Sequence, residues 1–400
     1  MELAISRHSQ FEKLTFDWLF FNIFCLDFVY KLLPAFPIPS NIMAFVPVLM
    51  GLICILPNML EVRFLHKGFS IYIGILLLLL GFAVTGNAFL QRTILTPSFL
   101  VLNVFCIFLF TRVCIEDTVE HLSYISIAVG LIAGLYTLRF VGETTDEIAN
   151  QYMAVGYTLS LQAIILFECN KRSKSRTLLV LASIFTALVL IFGNRGALLV
   201  IVAYFIITFA FVARRTMSRG KFILVTFSLI FLLTILILFY SDIVNAIYSA
   251  CTQAGIQSRT IDKLAGNSFS ESRGRDLIYG SALKVIRADP LTPKGIGFFT
   301  TVHFSDFYIN ANAHNMFLEL VIEFGAVFGC FIFVCILLQA FASVKMRAVI
   351  PSSAATSLAF CLLLQAVIQL MFSSTLYASN ELWLGLVLLS ILKRRVRIND

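Results

Sequence analysis

The chain has 400 residues, of which 59% are hydrophobic and 13% are charged, and its mean hydropathy is +0.92. Because soluble domains carry about 25% charged residues, this composition excludes a soluble protein and predicts a multi-span membrane protein. The net charge of +8 is attributed mostly to the excess of Lys and Arg in the connections on one side of the membrane. The short basic runs look like flanks of membrane spans, so no nucleic-acid partner is predicted.

Apolar runs of about 20 residues, the length that crosses the hydrocarbon core of a bilayer, recur along the chain. Backbone exposed to lipid must satisfy its own hydrogen bonds, so the predicted fold class is all-α, with about twelve transmembrane helices. The predicted spans lie near Leu14 to Leu33, Asn41 to Leu60, Phe69 to Phe89, Ser98 to Ile115, Tyr124 to Val141, Tyr152 to Cys169, Thr177 to Gly193, Ala197 to Ala213, Phe222 to Tyr240, Asn315 to Ala342, Ala354 to Phe372, and Glu381 to Leu392.

One long polar segment, basic and punctuated by Gly and Pro, separates the ninth predicted span from the tenth. The predicted organisation is helices 1–9 in residues 1–240, a large outer loop in residues 241–313, and helices 10–12 in residues 314–400. Within the loop, the sequence SRGRDLIYGSALKVIRADP predicts an amphipathic helix on the outer membrane surface, ended by Pro290. Its apolar residues at helical spacing are Leu277, Ile278, Ala282, Leu283 and Ile286.

Lys and Arg residues are distributed unequally between alternate connections. One set of connections carries nineteen of them, whereas the short connections of the other set carry four. Since positive residues accumulate on the cytoplasmic side, both termini are predicted to be cytoplasmic and the 241–313 loop to lie outside. The cytoplasmic set, which includes Lys171 and Arg347, is interpreted as anchors facing anionic lipid. Tyr377, Asn380 and Glu381 in the last outer turn are either interface anchors or further contributors to a functional site.

Several kinds of chemistry have no signature in the sequence. There is no phosphate-cradling Gly-rich loop, no Cys/His pattern with zinc spacing and no DxD-type metal-nucleotide motif. The sequence therefore predicts no metal and no other cofactor. Eight of the nine Cys lie in or beside predicted spans, so no structural disulfide is predicted either.

Three arginines on the predicted outer side allow two interpretations each. Arg195 stands in GNRGALL at the boundary between two spans, where it is either a snorkelling residue of a tight hairpin or an oxyanion ligand. Arg273 and Arg275 begin the amphipathic helix. They are either a charge pair facing solvent and headgroups or, together with Arg195, a clamp for pyrophosphate.

His314 and Asn315 stand at the N-terminal end of the predicted tenth span. A helix N-terminus disfavours the charged imidazolium, so His314 is either an interface residue or a neutral proton acceptor. Glu319 and Glu323 follow one turn apart inside an apolar run. Carboxylates in such a run must face the bundle interior or find a partner.

These motifs together resemble a known family. GNRGALL, SRGRDLIYGSAL, PKGIGFF and AHNMFLELVIEFGAVFG look like the corresponding segments of the bacterial O-antigen ligase and O-antigen polymerase superfamily. The motif resemblance covers about residues 190 to 330, and the twelve-span layout with one large outer loop is similar over the whole chain. The resemblance implies a GT-C-like membrane glycosyltransferase that works at the outer face of the bacterial inner membrane.

The resemblance also implies roles for individual residues. His314 would activate the acceptor hydroxyl, and Arg195 and Arg275 would hold the pyrophosphate leaving group of an undecaprenyl-pyrophosphate-linked glycan. Arg275 is preferred because Tyr279 then occupies the aromatic position of the motif, and Arg273 stays an alternative. Supporting roles fall to Tyr279 and to two residues that follow His314 in its motif, Asn315 and Glu319.

Three functions remain open at the level of sequence. The favoured one is a polymerase of lipid-linked repeat units, for which the resemblance adds a chain-length regulator as a partner. The second is a ligase that passes finished glycan to lipid A core. The third is a polysaccharide transporter or flippase, although the internal symmetry that often marks transporters is not found.

Overall fold

A computed structural model of the protein describes residues 2–32, 40–59, 67–94, 96–111, 115–119, 121–138, 146–213, 240–253, 275–298 and 313–399, with positions 218, 220, 221 and 223. In this part of the chain the regular structure is helical and no strand is present. The α-helices are α1 (Glu2–Leu32), α2 (Ser40–Met59), α3 (Lys67–Val84), α4 (Ala88–Ile94), α5 (Pro97–Phe110), α6 (Ile115–Thr118), α7 (Leu122–Thr137), α8 (Asp146–Ser173), α9 (Arg176–Phe192), α10 (Arg195–Ile207), α11 (Tyr240–Gln253), α12 (Arg275–Ala288), α13 (Met316–Val349), α14 (Ala354–Phe372) and α15 (Asn380–Asn399). A π-helical turn, Thr208–Ala213, continues α10, and a 3₁₀ turn, Leu376–Ala378, precedes α15.

The described part of the chain confirms the predicted all-α class, and it contains helices that could span a membrane. Those long and apolar enough to cross a bilayer are, within the described residues, Ile115–Thr137, Met153–Ser173, Met316–Val349 and Ala354–Phe372. Shorter apolar helices are Phe45–Leu56, Gly68–Val84, Pro97–Phe110, Arg176–Phe192 and Arg195–Phe211. The total of twelve spans and the outer position of the 241–313 loop stay predictions. The ninth predicted span, Phe222 to Tyr240, lies almost wholly outside the described residues.

The chain divides into two compact units, which we describe separately. The first unit comprises Met1–Ile125, Arg273–Ser343 and Ser352–Asp400, and the second comprises Ser126–Ser272 and Val344–Pro351. Helices α7 and α13 each contribute residues to both units.

In the first unit, α1, α2 and α5 pack around buried aromatic rings. Phe16 of α1 meets Phe105 of α5 edge to face, with ring centroids 5.4 Å apart, and both side chains are fully buried. A Cβ atom on Gly51 of α2 would lie 2.4 Å from Cγ1 of Val104. Glycine at this position therefore lets α2 approach α5 at a distance that a larger residue would prevent.

Helix α14 begins at Ala354 because two side chains satisfy its first backbone donors. The hydroxyl of Ser353 accepts a hydrogen bond from Thr356 N at 3.0 Å, and the carboxylate of Glu116 accepts one from Ala354 N at 2.8 Å. A negative charge at this end also complements the helix dipole. The buried start of α14 thus leaves these two N–H groups satisfied.

In the second unit, α8 packs closely against the turn between α9 and α10. A Cβ atom on Gly156 of α8 would lie 2.9 Å from Cα of Gly193, and one on Gly196 would lie 2.1 Å from the hydroxyl oxygen of Tyr157. Small residues on both sides of the contact allow the backbone of the turn to reach α8. This contact fixes the location of the segment that contains Arg195.

The second unit also contains a buried cluster of charges. Glu168 of α8 pairs with Arg347 and with Lys171, and the Lys171 contact measures 2.8 Å. Tyr204 donates a hydrogen bond to the same carboxylate at 2.8 Å, and Arg347 donates to the carbonyl of Pro351 at 3.1 Å. Arg347 is only 2% exposed, so its interpretation as a lipid-facing anchor is wrong. Its side chain is held by a carboxylate instead of a headgroup.

Helix α13 is interrupted at Gly325, where the backbone takes φ 76° and ψ 161°. Phe317 and Phe333 stand on opposite sides of the break with their ring centroids 5.2 Å apart. In an unbroken helix, sixteen residues would separate them by about 24 Å along the axis. The arm of residues 316–324 therefore folds back against residues 326–349. The prediction of one continuous span from Asn315 to Ala342 is wrong at this glycine.

Candidate functional site

The break in α13 is closed by the loop that follows α12. The backbone carbonyls of Ile322 and Glu323, which lose their helical partners at the break, accept hydrogen bonds from Lys294 N at 2.9 Å and Gly295 N at 3.1 Å. In return, Ala326 N donates to the carbonyl of Pro290 at 2.8 Å. Buried backbone groups need such partners. The loop of residues 290–298 is thus bound to the arm of residues 316–324.

We expect Gly325→Ala to destabilise the first unit. The φ/ψ values of Gly325 belong to a region used almost only by glycine, which costs other residues about 1–3 kcal/mol. In addition, a Cβ atom there would lie 2.4 Å from the carbonyl oxygen of Leu291. Thermal unfolding of the detergent-purified protein should show a lower midpoint. Gly81→Ala is the control, because a Cβ atom at Gly81 meets nothing within 4 Å, and an equal midpoint for both variants would contradict the expectation.

His314 lies at the start of the folded-back arm in an uncommon backbone conformation. Its φ is 49°, in the left-handed region, and its side chain is half-buried. Histidine enters this region more readily than other bulky residues do. The side chain of Asn315 accepts a hydrogen bond from Leu318 N at 3.2 Å and so caps the helix. The sequence local to His314 therefore starts the helix at the residue that follows the left-handed turn.

Helix α12 packs against the same arm. Ile278 and Ala282 of α12 are buried together with Ala313 and Ile322, and the hydroxyl of Tyr279 donates a hydrogen bond to the backbone carbonyl of His314 at 3.4 Å. The predicted amphipathic helix is present. Two of its five predicted apolar positions, Leu277 and Leu283, are exposed. The structure thus brings Tyr279 to His314.

The predicted arginines at α12 are only partly covered by the structure. Arg275 is the first residue of the helix, so the motif that contains it leads directly into the segment that contacts His314. Arg273 lies outside the described residues. Arg275 therefore stays the preferred pyrophosphate ligand, and Arg273 stays the alternative.

Glu323 joins three segments of the first unit. Its side chain is 4% exposed, and its two carboxylate oxygens accept hydrogen bonds from Gly297 N and from the hydroxyl of Tyr377, both at 2.6 Å. Glu319, one turn earlier, is 5% exposed. Both glutamates therefore face the interior, as predicted for carboxylates inside an apolar run, and Glu323 has a partner for each of its oxygens.

Tyr377 is buried and bonded, so its interpretation as an interface anchor is wrong. The side chain is 5% exposed. Burial, reinforced by the nearby Glu323 carboxylate, raises the pKa of Tyr377 far above its usual range, so the phenol stays neutral and donates its proton in a hydrogen bond. Its ring also meets Phe89 edge to face, with centroids 5.8 Å apart. The turn before α15 thus contacts the arm of residues 316–324, which follows His314.

The loop at Gly297 also contacts the start of α4. Gly297 has φ 74°, and a Cβ atom on it would lie 2.6 Å from Cβ of Phe89. The side-chain amide of Asn87 donates a hydrogen bond to the carbonyl of Ile296 at 2.9 Å. These contacts require glycine at position 297 on grounds of both backbone conformation and space.

An ion pair closes the turn between α12 and this loop. The carboxylate of Asp289 accepts hydrogen bonds from Lys294 Nζ at 2.8 Å and from Thr292 N at 3.3 Å. The bond from Lys294, with that from Thr292, holds the pKa of Asp289 below its usual range. Because the carboxylate is exposed, its stabilising effect is small.

Arg195 belongs to the second unit. It is the first residue of α10, and Asn194 caps the helix by accepting a hydrogen bond from Ala197 N at 2.7 Å. Its side chain is half-buried. A cation at the positive end of a helix dipole is not stabilised by the helix itself. The position is therefore compatible with an anion beside the guanidinium.

The sequence predicts His314, Tyr279, Asn315 and Glu319 as site residues. It does not predict the two hydrogen bonds of Glu323. That glutamate was predicted only to require a partner, and its partners lie 26 and 54 residues away in the chain. In the described part of the chain, no group of three His, Cys, Asp or Glu side chains is placed to hold a metal ion.

The comparisons with known proteins agree with the resemblance in the sequence. Residues 178–334 match the family model Wzy_C, described as O-antigen ligase. The match includes Arg195, the α12 motif, His314 and both glutamates of the arm. A comparison with curated protein sequences gives no match.

Proposed function

Because residues 178–334 match a family model described as O-antigen ligase, we propose that the protein is a membrane glycosyltransferase of bacterial surface-polysaccharide synthesis. Of the candidate reactions, we favour polymerisation, which joins oligosaccharide repeat units carried on undecaprenyl pyrophosphate. The donor is the growing glycan on its lipid, and the acceptor is the hydroxyl of another lipid-linked unit. The observation that carries the proposal is the family match over a segment in which Tyr279 donates a hydrogen bond to the backbone carbonyl of His314 and Asn315 caps the helix that follows.

In the proposed reaction His314 is the general base. Its neutral imidazole takes the proton of the acceptor hydroxyl while that oxygen attacks the anomeric carbon of the donor. The bond from the anomeric carbon to the pyrophosphate oxygen breaks, and the lipid pyrophosphate leaves with the electron pair. Attack from the face opposite the leaving group inverts the anomeric centre. General base catalysis of this kind contributes about 10²–10⁴-fold in rate.

Arg195 and Arg275 are assigned to the leaving group. A guanidinium matches the oxygens of a phosphate with two parallel hydrogen bonds and stays charged at all relevant pH values. Pyrophosphate is already a good leaving group, so positioning the reactants and neutralising the developing charge are sufficient.

The proposed site faces the outer side of the inner membrane, with both termini in the cytoplasm, as the distribution of Lys and Arg predicts.

A ligase is the second candidate, because the matched family is described as O-antigen ligase. It would use the same donor, the same base and the same leaving group, and would differ only in transferring the glycan to lipid A core. The two reactions therefore differ in their acceptor. An experiment that identifies the product separates them.

The test is the surface-polysaccharide profile of a deletion host with and without the restored gene. Loss of the ladder on deletion, with a single repeat unit left on lipid A, would establish the polymerase. Accumulation of finished polymer on undecaprenyl pyrophosphate would establish the ligase. A host whose lipid-linked units stay on the cytoplasmic side would contradict both and indicate a flippase.

A further inference from the structure

The arm of residues 316–324 is too short to hold its own position. It spans about 13 Å, and helices of this length are marginal when isolated. At one end it begins after His314, and at the other it ends at the break of Gly325. Its orientation, and with it that of His314, therefore depends on contacts with other segments.

Glu323 supplies those contacts at the end opposite His314. One carboxylate oxygen accepts from the loop at Gly297 N and the other from Tyr377 in the last outer turn, each at 2.6 Å. Because the carboxylate is 4% exposed, water cannot replace either donor. Both oxygens are used, so no isosteric residue reproduces the pair.

The two partners are themselves fixed. Gly297 contacts Phe89, and Asn87 bonds the neighbouring Ile296 carbonyl at 2.9 Å. The ring of Tyr377 packs on the same Phe89. The arm is thus tied to the loop after α12, to the turn before α15 and, through both, to the start of α4.

We infer that Glu323 is a positioning residue for glycosyl transfer, which fixes the arm of residues 316–324 so that His314 meets the acceptor hydroxyl. The inference rests on the proposed function. Glu323 does not touch the reacting atoms, and it acts through the direction of the arm. A displacement of a catalytic group by about 1 Å costs up to 10²-fold in rate, so loss of either bond should lower turnover and leave donor binding in place.

Two variants test the role, and the chain offers a matched control. In Glu323→Gln one of the two acceptors becomes an amide nitrogen that cannot accept, and Tyr377→Phe removes one donor. Tyr72→Phe is the control, because Tyr72 is also buried and donates to a side-chain oxygen, Asn103 Oδ1, at 2.6 Å. Its hydroxyl has no contact with the arm.

The experiment is glycosyl transfer by detergent-purified protein, with lipid-linked oligosaccharide extracted from the deletion host as the probe. We expect Glu323→Gln to lower kcat about 10- to 100-fold and Tyr377→Phe to lower it severalfold, with the KM for the donor nearly unchanged. Tyr72→Phe should keep the kcat of the wild type. A Tyr377→Phe variant as active as Tyr72→Phe would overturn the inference even if Glu323→Gln failed to fold.

The outcomes of this experiment test the positioning role of Glu323 and the proposed glycosyl transfer separately. A wild-type protein that performs neither transfer reaction would overturn the proposed function and the inference with it. An active wild type beside variants with unaltered kcat would overturn the inference alone. Variants in which KM for the donor rises while kcat stays constant would likewise contradict a positioning role and place Glu323 in donor binding.

Discussion

His314→Asn is expected to abolish glycan transfer while leaving the folded protein in the membrane. Asparagine has no basic nitrogen, so the acceptor hydroxyl would keep its proton during attack, and the rate should fall by about 10²–10⁴-fold. Asparagine also enters the left-handed backbone region easily. The φ of 49° at position 314 is therefore retained, and the loss of rate reports on the imidazole and not on the backbone.

The measurement is the polysaccharide profile of the deletion host carrying the variant, with membrane levels of protein compared by immunoblot. His314→Ala should give the same chemical defect with an added loss of stability, because a left-handed conformation costs alanine about 1–2 kcal/mol. His121→Asn is the control for loss of a histidine elsewhere in the first unit. A normal ladder from His314→Asn would exclude His314 from the chemistry.

Periodicity and polarity were sufficient to predict the local elements around this residue. Helix α12 was predicted with its end before Pro290, and the interior location of Glu319 and Glu323 followed from the cost of placing a carboxylate among lipid tails. These predictions depend on residues close together in sequence. The family resemblance then selected His314 from five histidines, which composition alone does not do.

The break at Gly325 could not be predicted in the same way. Apolar residues continue through EFGAVFG, so the run satisfies the length and hydropathy of one span. A glycine inside an apolar helix is tolerated in most contexts. What decides the conformation is the loop at Leu291 and Lys294, which supplies backbone partners to the broken helix. That loop is distant in sequence and its approach has no local pattern.

Charge counting predicts a side of the membrane for each cation but does not predict its partner. Arg347 and Lys171 were assigned to the same predicted cytoplasmic side, and the structure brings both to Glu168. The pairing of Lys171 with Glu168 is a local one at helical i,i+3 spacing. The pairing of Arg347 joins positions 179 apart, and no local pattern around Arg347 indicates it. Tyr377 was misinterpreted for the same reason, since its acceptor lies on another helix.

Glu168→Ala is expected to cause the largest loss of stability among single substitutions in the second unit. The carboxylate is 1% exposed and is shared by Arg347, Lys171 and the hydroxyl of Tyr204. Removing it leaves the buried guanidinium of Arg347 without its counter-ion, a change that costs about 3–5 kcal/mol. Thermal unfolding in detergent should show a much lower midpoint for this variant.

Lys171→Ala is the matched control, because it removes the other cation of the same cluster. The side chain of Lys171 is 36% exposed, and ion pairs near the surface are worth at most about 1 kcal/mol. Its additional contact over the ring of Tyr204, at 4.8 Å, adds about 0.5–1 kcal/mol at such a site. The alanine variant at position 168 should therefore unfold at a clearly lower temperature than the variant at position 171. Equal midpoints would show that Arg347 finds another acceptor, such as the carbonyl of Pro351 to which it already donates, and that the carboxylate is not what retains it in the interior.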